Sequence, residues 1–319
     1  MGAGPPPDAM NLKQLEYFVR VAELGSFSRA AMILDVAQPA LSRQVRLLET
    51  DLRCSLLQRT GRGVILTEAG KRLFERSVGI LQLVQQTRED MEAGRGEPSG
   101  RVVIGLPPSL GRMLTLPLVE GFRDRMPKAH LIIVEGLSTH IIEWIATGRV
   151  DLALVHNPQA QPAIEIRPIL DEPLCLVSRA RGRARHPAAL QFEPPVVFAD
   201  LPHHPLVIPD HTQTIRRLVE AQAALSGVKL TIAWEVSGVP AILDLVRAGY
   251  GHAVLSPGAV QASGEPQSFS IRPIEQPKLL SKLCLALSAH KPASALTRHA
   301  MRMLDDLARR HAGPADITR

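Results

Sequence analysis

Pro39, Ser42, Arg43, Arg46 and Thr50 recur along one face of a predicted helix. They put hydroxyl and guanidinium donors in a row. Leu41, Val45, Leu48 and Leu52 recur at i, i+4, i+7 and i+11 on another face, which makes a buried stripe. Pro39 suits the first helical turn, where its missing N–H is no loss. A helix that packs on one side and offers arginine on the other fits a DNA major groove. Guanidinium donors meet guanine O6 and N7 there, and small residues let the axis approach closely. For an isolated amphipathic helix, a solvated surface is the better reading. The surrounding elements reverse that judgement.

Leu12, Leu15, Phe18, Val19 and Ala22 form a helical stripe closed by Gly25. Ser26-Phe27-Ser28 offers caps for a short second helix, and Asp35-Val36-Ala37 is a tight connection into the helix of Arg43. Helix, short helix, turn and helix is the helix-turn-helix order. Residues 56–66 then read as two short strands around Gly61-Arg62-Gly63, a β-wing. Arg62 at the tip suits insertion into a narrow minor groove. Ser28, Arg29, Arg59 and Thr67 are phosphate candidates.

A long helix is predicted from Glu68 to about Met91. Leu73, Ser77, Ile80, Val84, Thr87 and Met91 give it a heptad-like seam for dimerisation, diluted by Ser77 and Thr87. From Arg101 onward, short β-runs alternate with amphipathic helices, the grammar of a largely parallel sheet. Two such α/β units follow one another, with crossings expected near Pro168–Pro173 and Gln267–Pro273. A ligand would then sit between the lobes, beyond the strand C-termini. Ser109 follows the first β-run there, Ser138 and Thr139 the second, and Thr212 has the like place in the second lobe. Hydroxyls at helix starts favour an anion such as a carboxylate; plain N-capping is the other reading for Ser109 and Ser138.

Composition narrows the class. The 319 residues carry a net charge of +6, which permits an anionic partner without demonstrating one. Between Met10 and Leu66, eight basic residues face only five acidic ones, so arrangement rather than charge carries the DNA signal. Aromatics at 3% argue against a base-stacking single-strand binder. Cys54, Cys175 and Cys284 are few, odd in number and far apart, which fits a reducing compartment and a cytoplasmic location. No apolar run approaches the ~20 residues of a membrane span, and the proline-rich start has no signal-peptide pattern. Met10 is an alternative start. His203, His204 and His211 lack the further ligands of a metal site, so no metal or cofactor is expected. G-x-S-x-G, P-loop and H-E-x-x-H patterns are missing, which argues against an enzyme. A solute-binding protein would share the α/β half but not the N-terminal reader.

Ala37–Val45, Leu47-Leu48-Glu49, Arg59–Gly63 and Leu66–Gly70 together resemble the LysR-type transcriptional regulators. The resemblance runs from Met10 to the end of the chain. Val134–Ser138 and Gly148–Leu154 are most similar to the nitrogen-assimilation-control subgroup. The resemblance implies an α/β chain with an N-terminal, α-rich winged helix-turn-helix and a two-lobed effector domain like type 2 periplasmic binding proteins. Expected boundaries are a tail over 1–9, a winged helix-turn-helix over 10–67, a linker helix over 68–94 and a hinge over 95–100. Effector subdomain I spans 101–170 and 271–319, and subdomain II spans 171–270. The family places Gln38, Pro39, Ser42 and Arg43 at the groove, and Ser256 lies where its cleft wall runs. Expected partners are promoter DNA, a small anionic effector, one or three further copies of the chain, and RNA polymerase. Two departures stand out. Leu52-Arg53 replaces the family's Leu-Gly after the reader helix, and Leu56-Leu57 replaces Leu-Phe at the entry to the wing.

Overall fold

The computed structural model describes residues 10–60, 63–92, 99–180, 190–289 and 293–311. The chain divides into two compact units. In the first, Asn11 opens α1 (Leu12–Leu24) with a reciprocal capping box to Gln14, and Gly25 closes it in the left-handed region at φ 58°. Ser26 caps α2 (Phe27–Ile33), and α3 (Gln38–Asp51) begins at Ala37 with Pro39 in its first turn. The hairpin β1 (Leu57–Thr60) and β2 (Gly63–Leu66) pairs antiparallel. The long helix α4 (Glu68–Glu92) follows.

Leu15, Phe18, Val21, Ala30, Leu41, Val45, Leu48 and Leu56 form the core of this unit, each at most 2% exposed. Each large member contributes about 1.5–3 kcal/mol by leaving water, so the stripe of α3 is firmly seated. Its far end is tied as well. Glu49 Oε1 accepts the N–H groups of Leu56 (2.8 Å) and Leu57 (3.2 Å), joining α3 to the wing. The Val64 N–H donates to the Gly25 carbonyl at 2.9 Å, which joins the wing to the end of α1. Where the family has glycine, Arg53 itself takes the left-handed conformation, at φ 51°.

The seam of α4 is divided between two jobs. Leu73, with Phe74, Val78 and Leu81, packs on the core of the first unit, and Ser77 is buried. Ile80, Leu83 and Thr87 remain exposed, at i, i+3 and i+7. The expected continuous heptad seam is therefore half used within the unit. The Met91 side chain lies outside the described residues.

Among its described residues the second unit has two five-stranded sheets and one two-stranded sheet. Its elements are β3 (Gly100–Leu106), α5 (Pro108–Arg125), β4 (Ala129–Glu135), α6 (Ser138–Ala146), β5 (Leu152–His156), β6 (Ile164–Pro173), β7 (Cys175–Arg179), β8 (Gln191–Phe192), β9 (Val196–Val197), β10 (Leu206–Ile208), α7 (Thr214–Leu225), β11 (Ile232–Glu235), α8 (Val239–Ala248), β12 (Ala253–Leu255), α9 (Pro257–Gln261), β13 (Phe269–Glu275), β14 (Leu280–Ser288) and α10 (Ala295–His311). The first sheet has the order β4-β3-β5-β14-β6, with β3, β4 and β5 parallel and β14 antiparallel to both neighbours. In the second, β12, β7, β13 and β8 lie side by side, and β9 also pairs with β13. The parallel pair β10–β11 joins through a bridge between Leu206 and His252.

The chain changes sheet at Leu174 and again between Glu275 and Leu280. These crossings touch: the Leu174 N–H donates to Leu279 O at 2.8 Å. The expected boundaries near 170 and 271 shift accordingly. Pro168 does not end a strand. It faces Cys284 where the β6–β14 register shifts, a bulge that tolerates its missing N–H. Residues 269–273 pair with β7 and belong to the second lobe.

Candidate functional site

Two regions gather the candidate side chains. On α3, Gln38, Pro39, Arg43 and Arg46 are exposed and Ser42 is half-buried, while Leu41, Val45 and Leu48 fix the opposite face in the core. Arg43 and Arg46 form no ion pair or side-chain hydrogen bond among the described residues. Two guanidinium groups held beside each other without a partner are poised for an external anion or base edge. Ser28 is exposed in the first turn of α2. Arg29 is exposed too, but its Nη2 donates to Leu24 O at 2.6 Å.

Thr67 does not fit its expected role. Its hydroxyl donates to Ser55 O at 2.7 Å and accepts the Gly70 N–H at 3.0 Å, so it caps α4 and is already satisfied. Arg59 is placed by its backbone in β1, opposite Val64. Arg62 lies outside the described residues.

In the second unit a cavity of about 160 Å³ brings together all five expected cleft residues: Ser109, Ser138, Thr139, Thr212 and Ser256. They come from both lobes. The starts of four helices line it, through Pro107–Ser109 of α5, Leu137–Thr139 of α6, Gln213–Ile215 of α7 and Gly238–Pro240 of α8. No side chain caps α5, α7 or α8. Their orphan N–H groups and dipoles favour negative charge. Ser109 is therefore not an N-cap, since Pro107 holds that position. The Ser138 hydroxyl accepts the His156 N–H at 3.0 Å. Thr212 donates through both its N–H and its hydroxyl to Asp210, and that bonding holds the Asp210 carboxyl below its ordinary value. Ser256 caps the short α9.

Sequence reasoning missed a buried carboxyl group in the cavity wall. Glu172, on β6, is 3% exposed, and His156 Nε2 lies 2.9 Å from its Oε2. Ser281 of β14 lines the same wall, opposite Glu172 in register, and accepts from Asn157 Nδ2 at 3.0 Å. One signal could have found His156. It ends the run Leu152–Val155, at a strand C-terminus like those that pointed to Ser109 and Ser138. Nothing local marks Glu172. Among the described residues no Lys or Arg lines this cavity; Arg217 lines an adjoining groove.

The histidines considered for metal have other surroundings. His204 stacks edge-on against His252, and burial, then Arg272 and His203, lowers its pKa. Among the described residues no three metal-ligating side chains cluster.

Residues 12–71 match the family described as bacterial regulatory helix-turn-helix protein, lysR family, and residues 95–309 match the LysR substrate binding domain. The chain belongs to the LysR family. It is 30% identical over 282 residues to the nitrogen assimilation regulatory protein nac of Klebsiella aerogenes, covering 88% of this chain and 89% of that one. A full-length OxyR variant from Pseudomonas aeruginosa has a similar structure, with a TM-score of 0.69 and 24% identity over 95% of this chain and 96% of that one. CbnR complexed with its target DNA has a TM-score of 0.54 and 24% identity, over 94% of this chain and all of that one. As a LysR-type protein the chain is a DNA-binding transcriptional regulator rather than an enzyme, with a domain for a small-molecule effector. Among the described residues no helix is long and apolar enough to cross a membrane.

Proposed function

We propose that α3 reads promoter DNA in the major groove, with Arg43 contacting a base and Arg46 a base or phosphate. Gln38, Pro39 and Ser42 set the close approach. Ser28, Arg29 and Arg59 contact phosphate, and Arg62 enters the minor groove. The observation that carries this reading is the pair of exposed guanidinium groups, without a partner among the described residues, on a helix whose other face is buried. Two copies of the chain would span two half-sites about one helical turn apart. The exposed Ile80 and Leu83 of α4 offer the contact between them. Binding beside a promoter brings the regulator within reach of RNA polymerase, in the cytoplasm where the DNA is. The similarity to nac supports a place near the nitrogen-assimilation-control group.

The cavity of the second unit takes the effector, and its uncapped helix starts select a negatively charged group. Ser109, Ser138, Thr139, Thr212 and Ser256 add hydroxyls. Occupancy would favour one arrangement of the two lobes and so change how paired readers engage DNA. Footprinting of the target promoter tests the reader. Arg43→Ala is expected to lose about 1–3 kcal/mol of specific binding while the protein stays folded. An unchanged footprint would remove Arg43 from the interface.

A further inference from the structure

The helix starts account for a negative group on the effector, but not for Glu172. Its side chain is 4% exposed and lines the cavity wall, and one carboxyl oxygen is taken by His156 at 2.9 Å. The other oxygen, Oε1, makes no hydrogen bond among the described residues and is open to the cavity rather than sealed in the protein. It faces Gly258, where an added Cβ would stand 3.7 Å from it. An acceptor open to the cavity is met by water or by a donor on the ligand, and a ligand that displaces the water without supplying a donor leaves it unpaired at a cost. Neither Lys nor Arg among the described lining residues supplies a donor. A ligand bearing only negative charge would leave Oε1 unpaired and would face a carboxyl group.

We propose that the cleft takes a small zwitterion, an amino-acid-like molecule. Its ammonium group donates to Glu172 Oε1, and its carboxylate accepts from the free N–H groups at the starts of α5, α7 and α8. His156 is a positioning residue: the Ser138 hydroxyl holds its backbone, and its Nε2 fixes the carboxyl of Glu172. Leu174, Ile215, Val239 and Leu255 leave an apolar space for a small side chain. The volume of about 160 Å³ is close to the ~150 Å³ that admits benzene in an engineered cavity. This inference rests on the reading of the cavity as the effector site, and adds the second pole of the ligand.

The test is thermal shift and calorimetry on the full chain with standard L-amino acids, their matched des-amino carboxylic acids and their matched decarboxylated amines. At least one amino acid is expected to bind, with both of its half-analogues weaker by roughly ten- to a hundredfold. Glu172→Gln, which keeps the shape, is expected to weaken the amino acid by a similar factor and to leave the des-amino acid unchanged or tighter. If the des-amino acid binds as well as the amino acid, the zwitterion is wrong and the anion-binding cleft stands. If nothing in the panel binds, the proposal is overturned. Ser109→Trp fills the cavity, so binding that survives it places the ligand elsewhere and removes the cleft reading itself. Comparing matched probes on the unmodified chain needs no variant, so poor folding of Glu172→Gln does not block the result.

Discussion

The reader helix and the effector cleft solve opposite problems. On α3 the guanidinium groups of Arg43 and Arg46 are exposed, unpaired among the described residues and close in sequence, while the scaffold beneath them is closely packed. In the cleft the polar groups are sheltered, several are already bonded within the protein, and they come from segments far apart in the chain. A long polyanion can be met by a rigid face that waits for it. A small molecule has few groups to offer, so its site needs acceptors and donors enclosed on several sides. The difference predicts that the reader is disturbed most through its scaffold and the cleft through single polar groups.

Gly70 gives the largest expected effect. In the first turn of a helix, alanine normally gains up to about 1 kcal/mol over glycine. Here an added Cβ would stand 2.0 Å from Leu56 O, the same carbonyl that accepts the Thr67 N–H at 3.0 Å. Gly70→Ala is therefore expected to destabilise the first unit by about 1–3 kcal/mol. DNA affinity would fall as the temperature rises, before the second unit unfolds. Calorimetry that shows a stabilised first unit would mean that the wing and α4 yield easily, and the contrast with the cleft would weaken.

Legibility in the sequence follows the same division. The faces of α3 are read from spacings of three and four residues, and the exposure of Arg43 and Arg46 follows once Leu41, Val45 and Leu48 are assigned to the core. Ser109, Ser138 and Thr212 were reachable because each follows a β-run. Glu172 was not, because its partner His156 is on another strand and the pairing depends on where β6 and β14 fall in the sheet. The same strands misplaced the lobe boundaries: Pro168 has the look of a breaker but occupies a bulge, and β14 is buried on both faces from Leu283 to Leu287, so its alternation is confined to its first four residues. The α4 seam misled for a related reason. Leu73 and Ile80 share a heptad pattern, yet of the two only Leu73 packs against the buried core of the first unit.

The cleft is tested by smaller changes. Ser109→Ala and Thr212→Val each remove one hydroxyl and are expected to cost about 0.5–1.5 kcal/mol of effector binding. Both should leave DNA affinity without effector unchanged. A full ligand-dependent shift in gel mobility for either variant would take that residue out of the site. A loss of effector-free DNA binding would instead show that the two regions are not separable in this way.

Arg53→Gly is expected to act in the opposite sense on its two properties. Its φ of 51° strains a side chain and suits glycine. Substitution is expected to stabilise the first unit by about 0.5–1 kcal/mol. If the guanidinium of Arg53 touches phosphate, the same variant lowers the slope of log affinity against log salt by about 0.9. Stabilisation with an unchanged slope would confine Arg53 to a turn and sharpen α3 as the reader. A destabilised variant would show that the side chain contributes more than its backbone costs.

The smallest effect is a predicted silence. Cys175 lies on β7 between β12 and β13, fully buried, and burial pushes its thiol up to about 12. Burial also raises Cys284. At neutral pH the thiolate fraction of Cys175 is on the order of one in 10⁵, and the thiolate is the reactive form. Native protein is thus expected to leave Cys175 and Cys284 unmodified by a disulfide reagent that titrates both after unfolding. The sign of the pH effect follows from the raised value. The unfolded thiol ionises above its ordinary value near 9 while the folded one holds its proton, so this contribution is complete below pH 9 and declines from there towards about 12. Cys175→Ala should lose that part of the alkaline destabilisation. Rapid native labelling of Cys175 would overturn the contrast between reader and cleft, because the second unit would then carry a reactive group outside its ligand cleft.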